Sequence, residues 1–425
     1  MQKGDFRRIR DKIQYLFKDG FFHIITGNTL SKAISFISTI AIIRIISKQA
    51  YGNLVYADNL YSYVNILSGL GMSSALIIYC SREKNILKKT QYFDIAVKYG
   101  SIVQCIGVAC VLIYYFFITS TFKTASDIIW ALVLYPVGTY WISCMLAYMR
   151  ADFQNKLFAK VSLLQTSVVF VCSVIFAFVL GAIGIAVARY LSIIVLILVS
   201  ANYFRKNTKR TRQKGVLTRE EKKAFLFTSI SLLIMNMFSQ LMISNESMLV
   251  NTLINDELIT ANYKTAILIP SQLIFITSSV AIYFFPKVAE MGVGQQVWRY
   301  SKKIGISITV LIALIIIVAI PISPFIIKVV FGSQYSDATA LLKWFWVAYG
   351  INASIRMIPL NILPAIGKEK FNAVLSIVSC VVHFLIDYYC IIKYGVYGVA
   401  FASIIVYAVS GLIAWIYLRR VCLRP

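Results

Sequence analysis

Apolar runs of about 20 residues recur from one end of this 425-residue chain to the other, and nothing else limits its fold so strongly. Wound as a helix at roughly 1.5 Å per residue, such a run matches the ~30 Å hydrocarbon core of a bilayer. No water is available there, so the backbone must satisfy its own N–H and C=O groups, and a helix does so within one segment. With 59% hydrophobic residues and a mean hydropathy of +0.76, the chain reads as an all-α polytopic membrane protein. Twelve spans fit the pattern: 21–46, 54–79, 95–118, 128–149, 159–180, 183–204, 225–250, 258–285, 304–330, 338–363, 372–392 and 397–418.

Charge sets the orientation. A net charge of +25 would ordinarily suggest nucleic acid as a partner. Position argues against that. Lys and Arg collect on alternate loops: Arg82, Lys84, Lys88 and Lys89, then Arg150, Lys156 and Lys160, then Lys287, Arg299, Lys302 and Lys303, then Lys368 and Lys370, then Arg419, Arg420 and Arg424. Only Lys48, Lys123, Lys328 and Lys393 fall on the opposite side. This positive-inside pattern predicts a multi-pass membrane protein with both termini in the cytoplasm. The longest polar run, Arg205–Lys223, carries nine basic residues against Glu220 and Glu221, and reads as a cytoplasmic linker over 205–224. Thr218 followed by Glu221 is a capping box, so a helix restarts there. At the N-terminus, Phe6, Ile9, Ile13 and Leu16 keep helical spacing among basic residues, which predicts a helix lying on the inner membrane surface over 1–20 and leaves no cleavable signal peptide visible. The domain reading is therefore an amphipathic segment 1–20, an N-lobe 21–204, the linker 205–224, a C-lobe 225–418 and a tail 419–425.

The two halves repeat. Gly181-Ala-Ile-Gly-Ile-Ala-Val-Ala188 recurs as Gly395-Val-Tyr-Gly-Val-Ala-Phe-Ala402, and Lys156-Leu-Phe-Ala159 recurs at the same offset as Lys370-Phe-Asn-Ala373. More weakly, Tyr51-Gly52-Asn53 aligns with Thr260-Ala261-Asn262. Both halves begin on one side, so the repeat is parallel, a plan that transporters use with the substrate site between the halves.

Function should lie where polar groups tolerate the bilayer. A charge at mid-membrane costs roughly 2.5–3.5 kcal/mol, so the basic residues within spans, Lys32, Arg44, Lys98, Arg189, Lys264, Lys343 and Arg356, need a wet or protein-lined home. Lys98 and Lys343 lie near span ends and read as snorkelling. The other five are the candidate substrate-binding cations. Polar residues also align at helical spacing: Asn28, Ser31, Lys32, Ser35 and Thr39; Asp58, Ser62, Asn65 and Ser68; Ser229, Asn236, Gln240, Ser244 and Ser247; Lys264, Ser271 and Ser278; and Asn372, Ser376, Cys380, His383 and Asp387. Such stripes line aqueous cavities, and they also make plain helix–helix contacts. Asp58, Glu246 and Asp387 read either as ion-coupling groups or as structural ion pairs with Arg44 or Lys264; His383 stands one turn before Asp387 and reads either as part of a proton relay or as a hydrogen-bonded histidine in a helix contact. Pro270, Pro321, Pro324, Pro359 and Pro364 interrupt spans and allow bending.

Other chemistry is not indicated. The eight cysteines sit mostly in apolar runs with no paired framework, so neither disulfides nor zinc are expected, and two histidines make no metal cluster. No Walker A, GxSxG or HExxH motif occurs, so the chain reads as a transporter without a catalytic site or a bound cofactor.

Several short motifs, in order, resemble the polysaccharide-exporter branch of the multidrug/oligosaccharidyl-lipid/polysaccharide superfamily, the O-antigen-type flippases. They are Arg44-Ile-Ile-Ser-Lys-Gln-Ala-Tyr-Gly52, Gly69-Leu-Gly-Met72, Tyr283-Phe-Phe-Pro-Lys-Val-Ala-Glu290, Phe331-Gly-Ser-Gln-Tyr335, Ile366-Gly-Lys-Glu-Lys370 and Tyr394-Gly-Val-Tyr-Gly-Val-Ala400. Ser47-Lys48-Gln49-Ala50 departs from the Gly-Pro-Glu-Glu usual in that family, and Glu246 stands where an Asp is common. The resemblance implies two six-helix lobes around a central cavity, and transfer of a polyprenyl-diphosphate-linked oligosaccharide, an O-antigen or capsule repeat unit, from the inner to the outer leaflet. It leaves a proton or a sodium ion as the coupling species. The polysaccharide polymerase and chain-length machinery are its expected partners, with nucleic acid excluded. A cation antiporter of the same superfamily would favour an acidic lumen, and a membrane polymerase would carry a substantial outer loop.

Overall fold

The computed structural model describes residues 21–118, 123–209 and 217–423. The amphipathic reading of 1–20, and the part of the linker at 210–216, lie outside the described residues. Among those described, the secondary structure is helical and contains no strand. The helices are α1 (Phe21–Ile45), α2 (Lys48–Leu67), α3 (Met72–Arg82), α4 (Ile86–Ile113), α5 (Ser126–Ala131), α6 (Tyr135–Ala151), α7 (Asn155–Lys209), α8 (Arg219–Ile254), α9 (Glu257–Leu268), α10 (Leu273–Met291), α11 (Gln295–Ile326), α12 (Ala338–Ile351), α13 (Met357–Ala365), α14 (Glu369–Tyr394) and α15 (Tyr397–Leu423). Among the described residues, seven helical stretches are long and apolar enough to cross a membrane, and an eighth if the pair Lys123–Ala131 and Tyr135–Ala151, bent by 40°, is one span.

Local chemistry fixes the helix starts. Ser47 accepts a hydrogen bond from Ala50 N, Asn85 from Leu87 N, and Asp256 from both Leu258 N and Ile259 N, each satisfying amides that a first turn leaves open. At Thr218 the capping box closes in both directions. Glu221 N donates to Thr218 Oγ1 at 3.2 Å, and Thr218 N donates to Glu221 Oε2 at 2.8 Å. The remaining oxygen of Glu221 takes Lys88 Nζ, and Leu217 N donates to Gln91 Oε1 at 2.8 Å. Buried Leu217 and Phe225 then pack with Tyr79 and Tyr92.

The chain divides into two compact units, one of Met1–Ala50 with Leu60–Met237, the other of Tyr51–Asn59 with Phe238–Pro425. In the first, α1 packs along α7 and α3 against α4 and α6. Its core joins Met72, Leu76, Ala96, Tyr140 and Tyr148. In the second, α15 is surrounded by α12, α13 and α14. Residues 51–59 are held there by a buried amide chain: Thr260 Oγ1 donates to Asn251 Oδ1 (3.1 Å), Asn251 Nδ2 to Asn59 Oδ1 (3.3 Å) and Asn59 Nδ2 to Ser244 O (3.0 Å).

The repeat seen in the sequence is a repeat of backbone geometry. α7 begins at Asn155 and α14 at Glu369, 214 positions later. A single 55-residue helix would run roughly 80 Å, more than twice a bilayer core, but α7 reverses at Gly181, with φ 58° and ψ −136°. Gly395 ends α14 with φ 60° and ψ −145°. An L side chain resists that region, so glycine holds both corners. Three residues on, a Cβ on Gly184 would lie 2.0 Å from Phe176 O, and one on Gly398 would lie 2.2 Å from Cys390 O. Phe176 and Cys390 are themselves related by the same 214 positions.

Between α2 and α3 the helix breaks, with Ser68, Gly69, Leu70 and Gly71 all at positive φ. The buried Gln104 side chain spans the gap: with its amide so oriented, the NH2 donates to Val64 O (3.0 Å) and the oxygen accepts from Gly69 N (3.2 Å). Further breaks follow prolines or π turns. Pro270 opens a 3-10 turn before α10, and π turns close α11 at Ile327–Phe331 and α12 at Asn352–Arg356. The carbonyls that the second π turn releases are taken up by side chains, Ala353 O by Thr277 Oγ1 (2.7 Å) and Ile355 O by Trp415 Nε1 (2.9 Å).

Gly184→Ala and Gly398→Ala are each expected to destabilise the fold by about 2 kcal/mol or more, because the intruding methyl meets backbone, not a movable side chain; Gly294→Ala, with open space around it, should leave the thermal midpoint in detergent unchanged. The contact at α8's start predicts a pH response. The ammonium of Lys88, followed by the Thr218 amide, holds Glu221 below the usual carboxylate range, and the Glu221 carboxylate holds Lys88 above the usual lysine value. The carboxylate's contribution is present above its unfolded value of about 4.3 and disappears as pH falls through the depressed folded value; the lysine's is present below about 10.4 and disappears as pH rises through the raised one. Amide protection factors at Leu217 and Thr218, taken against the unfolded rate at each pH, should therefore hold between those limits and fall outside them, and Glu221→Gln should lower them at pH 7.

Candidate transport site

Burial sorts the polar stripes. On α1, Lys32 and Ser35 are exposed while Ser31 is buried. Arg44 is exposed at that helix's end, and Arg189 is half-buried on α7 with its guanidinium 5.1 Å from the centre of the Tyr135 ring. All three belong to the first unit. The second unit gathers the other six candidates: Asp58, Glu246, Lys264, Arg356, His383 and Asp387.

Several of the six lie within electrostatic reach of one another. Glu246, on α8, is 3% exposed and accepts a hydrogen bond from Tyr263 Oη at 2.8 Å. Half-buried Lys264, on α9, lies in electrostatic reach of Glu246 and Asp58. Further along, the α14 stripe turns inward. Cys380 packs with Met242 and Tyr407, His383 Nε2 meets Ser403 Oγ at 3.3 Å, and His383 Nδ1 stands 3.4 Å from Asp387 Oδ2. Both His383 and Asp387 are almost wholly buried, and neither Asp387 oxygen nor His383 Nδ1 has a well-aligned hydrogen bond among the described residues. Buried groups left in that condition are rare, because desolvation without a hydrogen bond costs on the order of 1–3 kcal/mol. Such groups suit a proton or a cation that comes and goes.

Arg356 closes the set. It ends the π turn Asn352–Arg356, which swings its side chain off the regular α12 register. Nη1 reaches Asn352 Oδ1 at 3.5 Å, Nη2 reaches Met242 Sδ at 4.0 Å, and the guanidinium lies 5.5 Å from the centre of the Tyr407 ring. Its buried Nε has no hydrogen bond among the described residues. His383 feels the Arg356 charge, and Asp387 feels that of Glu246, so these groups act electrostatically as one cluster. No group of three or more His, Cys, Asp or Glu among the described residues could hold a metal ion.

The tyrosines escaped the sequence reading. Tyr263, Phe345, Tyr349 and Tyr407 make a continuous aromatic path, with ring centres 5.9, 6.1 and 6.3 Å apart. Their signal was weak, since aromatic residues are 14% of this chain. Of the remaining stripes, Ser271 and Ser278 bond back to the preceding turn, and so does Thr39; these hydroxyls are satisfied within their own helices.

The model for the family of polysaccharide biosynthesis proteins matches residues 17–291. The chain belongs to that family. A Shigella flexneri protein named for O-antigen transport is 25% identical to this family member over 240 residues, covering 56% of this chain and 55% of that protein; the chain thus spans about half the length of the curated relative it matches. Among solved structures, the lipid II flippase MurJ in an inward closed conformation superposes with a TM-score of 0.70 at 15% identity, over 93% of this chain and 86% of that one. A multidrug resistance transporter of the MATE family in an inward-facing conformation gives a TM-score of 0.66 at 16% identity, over 93% and 97%. A transporter of the same superfamily from Pyrococcus furiosus gives 0.61 at 15% identity, over 94% of each. This polysaccharide biosynthesis protein is thus a multi-pass membrane protein with the fold of the multidrug/oligosaccharidyl-lipid/polysaccharide transporters, the superfamily to which its motifs pointed.

Tyr263→Phe removes the only hydrogen bond that the buried Glu246 carboxylate accepts among the described residues. It should destabilise the protein by about 1–3 kcal/mol, and Glu246→Gln in the same background should recover much of the loss, read as the detergent melting temperature.

Proposed function

We propose that the protein is a flippase that carries a polyprenyl-diphosphate-linked oligosaccharide, an O-antigen or capsule repeat unit, from the inner to the outer leaflet of the bacterial cytoplasmic membrane. The observation that carries this reading is the basic bias inside the spans, together with membership of the polysaccharide biosynthesis family. Lys32, Arg44, Arg189, Lys264 and Arg356 stand in apolar segments against Asp58, Glu246 and Asp387, and an anionic diphosphate is the cargo that rewards such an excess. Arg can bind phosphate bidentately, and an isoprenoid tail can remain in lipid while the headgroup crosses. Alternating exposure to the two sides would follow from two lobes, 21–204 and 225–418, rocking about the basic cytoplasmic linker. Both termini would then lie in the cytoplasm, and the polymerase and chain-length machinery would receive the product outside. On this reading the chain is a transporter and not an enzyme.

The buried set Glu246, His383 and Asp387 is assigned to coupling, with a proton or a sodium ion as the species that returns. That same acidity favours a second reading, a MATE-type antiporter for a small cation. The two differ in what a deletion does. Loss of a flippase accumulates lipid-linked intermediate on the inner leaflet and removes surface glycan, whereas loss of an antiporter sensitises cells to cationic drugs. Arg189→Ala and Lys32→Ala should each lower surface glycan about tenfold at unchanged protein level, the loss expected for one charge-assisted contact worth roughly 1.5–3 kcal/mol. Unchanged glycan in all five basic-to-Ala variants would remove the diphosphate mechanism.

A further inference from the structure

The basic end of α11 opens onto a groove of about 310 Å³ that lies wholly within the second unit and backs onto Ser354 and Ile355 of the π turn. Trp298, Lys302, Gly305, Ile306 and Val310 supply one side, and Trp415 of α15 the other. The groove is a built feature. Trp415 is pinned by its Nε1–H to Ile355 O, a carbonyl made available by the π turn, and it meets Trp298 edge to face with ring centres 6.0 Å apart. Gly305 is what lets the indole lie flat across α11, since a Cβ there would come within 2.8 Å of it.

Chemistry changes along the groove. Lys302 lines its mouth, Arg299 stands one turn before it and Lys303 next to it on α11, all three are exposed, and α11 contains no acidic residue to offset them. Beyond Gly305, Ile306 is 55% and Val310 53% exposed. From Lys302 to Val310 the helix rises about 12 Å, close to the roughly 15 Å depth of one leaflet's hydrocarbon. Tryptophans at such a boundary and a basic pocket between membrane helices are the features that receive a charged lipid head. We propose that this groove binds one anionic phospholipid, with its phosphate on Lys302 and Arg299 and an acyl chain laid along Ile306 and Val310 beneath the paired tryptophans.

Tryptophan fluorescence tests this directly. The full chain is placed in nanodiscs of phosphatidylcholine that contain a minor fraction of either dibrominated phosphatidylglycerol or dibrominated phosphatidylcholine, and quenching is compared per mole of brominated lipid. The anionic lipid should quench at least threefold more effectively, because the groove concentrates it. The excess should vanish in Arg299→Gln/Lys302→Gln, survive in Lys302→Arg, and vanish in Trp298→Phe/Trp415→Phe, which localises it among the six tryptophans of the chain. Gly305→Leu, which fills the groove, should also abolish it. Melting temperatures near the parent's identify variants that remain folded. Equal quenching by the two lipids in the parent protein overturns the proposal, and so does an excess that persists after Arg299 and Lys302 are neutralised or after both tryptophans are replaced.

Discussion

Backbone satisfaction without water governs this structure. In hydrocarbon each unpaired N–H or C=O costs several kcal/mol, so a chain this apolar must be helical and must answer for every interruption of a helix. The interruptions are answered one by one. Gln104 spans the break at 68–71, while Thr277 and Trp415 take the carbonyls released at 352–356. Each answer is a side chain from another part of the fold, so the irregular segments also bind the helices to one another. The places where the backbone departs from a helix are consequently among the most specified in the molecule.

The repeated corner at Gly181 and Gly395 shows how such specification survives divergence. Apart from the glycines and a few small residues the two copies share little sequence, yet their dihedral angles agree within about 10° in ψ and the same close approach follows three residues later. What is retained is a left-handed corner and a surface flat enough for backbone to touch backbone. Side chains around it are free to change, because lipid, unlike a tight core, accepts most apolar shapes.

The same physics decides how much was legible in the sequence. The helical class, the capping box at Thr218, the glycine repeat and the polar stripe of α14 follow from composition, spacing and a short list of backbone rules; that the glycines make left-handed corners and that the stripe turns inward appear only in the fold. The reading of α7 as two spans rests on length alone and agrees with the reversal at Gly181. What could not be read is three-dimensional adjacency. Gln104 looks like one polar residue in an apolar run, and only the fold reveals that it faces a broken helix. Thr260, Asn251 and Asn59 belong to different helices, and their amide chain has no periodicity to betray it. Sequence periodicity identifies the face that a residue occupies, not the partner that the face meets, and so Ser271 and Ser278, equal in pattern to His383 and Asp387, differ from them in consequence.

Charge counting has a parallel limit, and it bears on what the protein can carry. A lysine or arginine inside a membrane protein is most simply stabilised by a carboxylate, which cancels its field. Arg356 is held instead by Asn352, by Met242 and by the face of Tyr407. A cation over an aromatic face gains on the order of 1–2 kcal/mol when desolvated, yet it keeps its full charge. Arg189 also lies over a ring, that of Tyr135. At Arg356, aromatic support thus keeps a full positive charge within an apolar segment, where a carboxylate partner would have cancelled it. A count of Lys and Arg along the chain records how many charges are present; the tyrosines beside them decide whether those charges remain available to an anion.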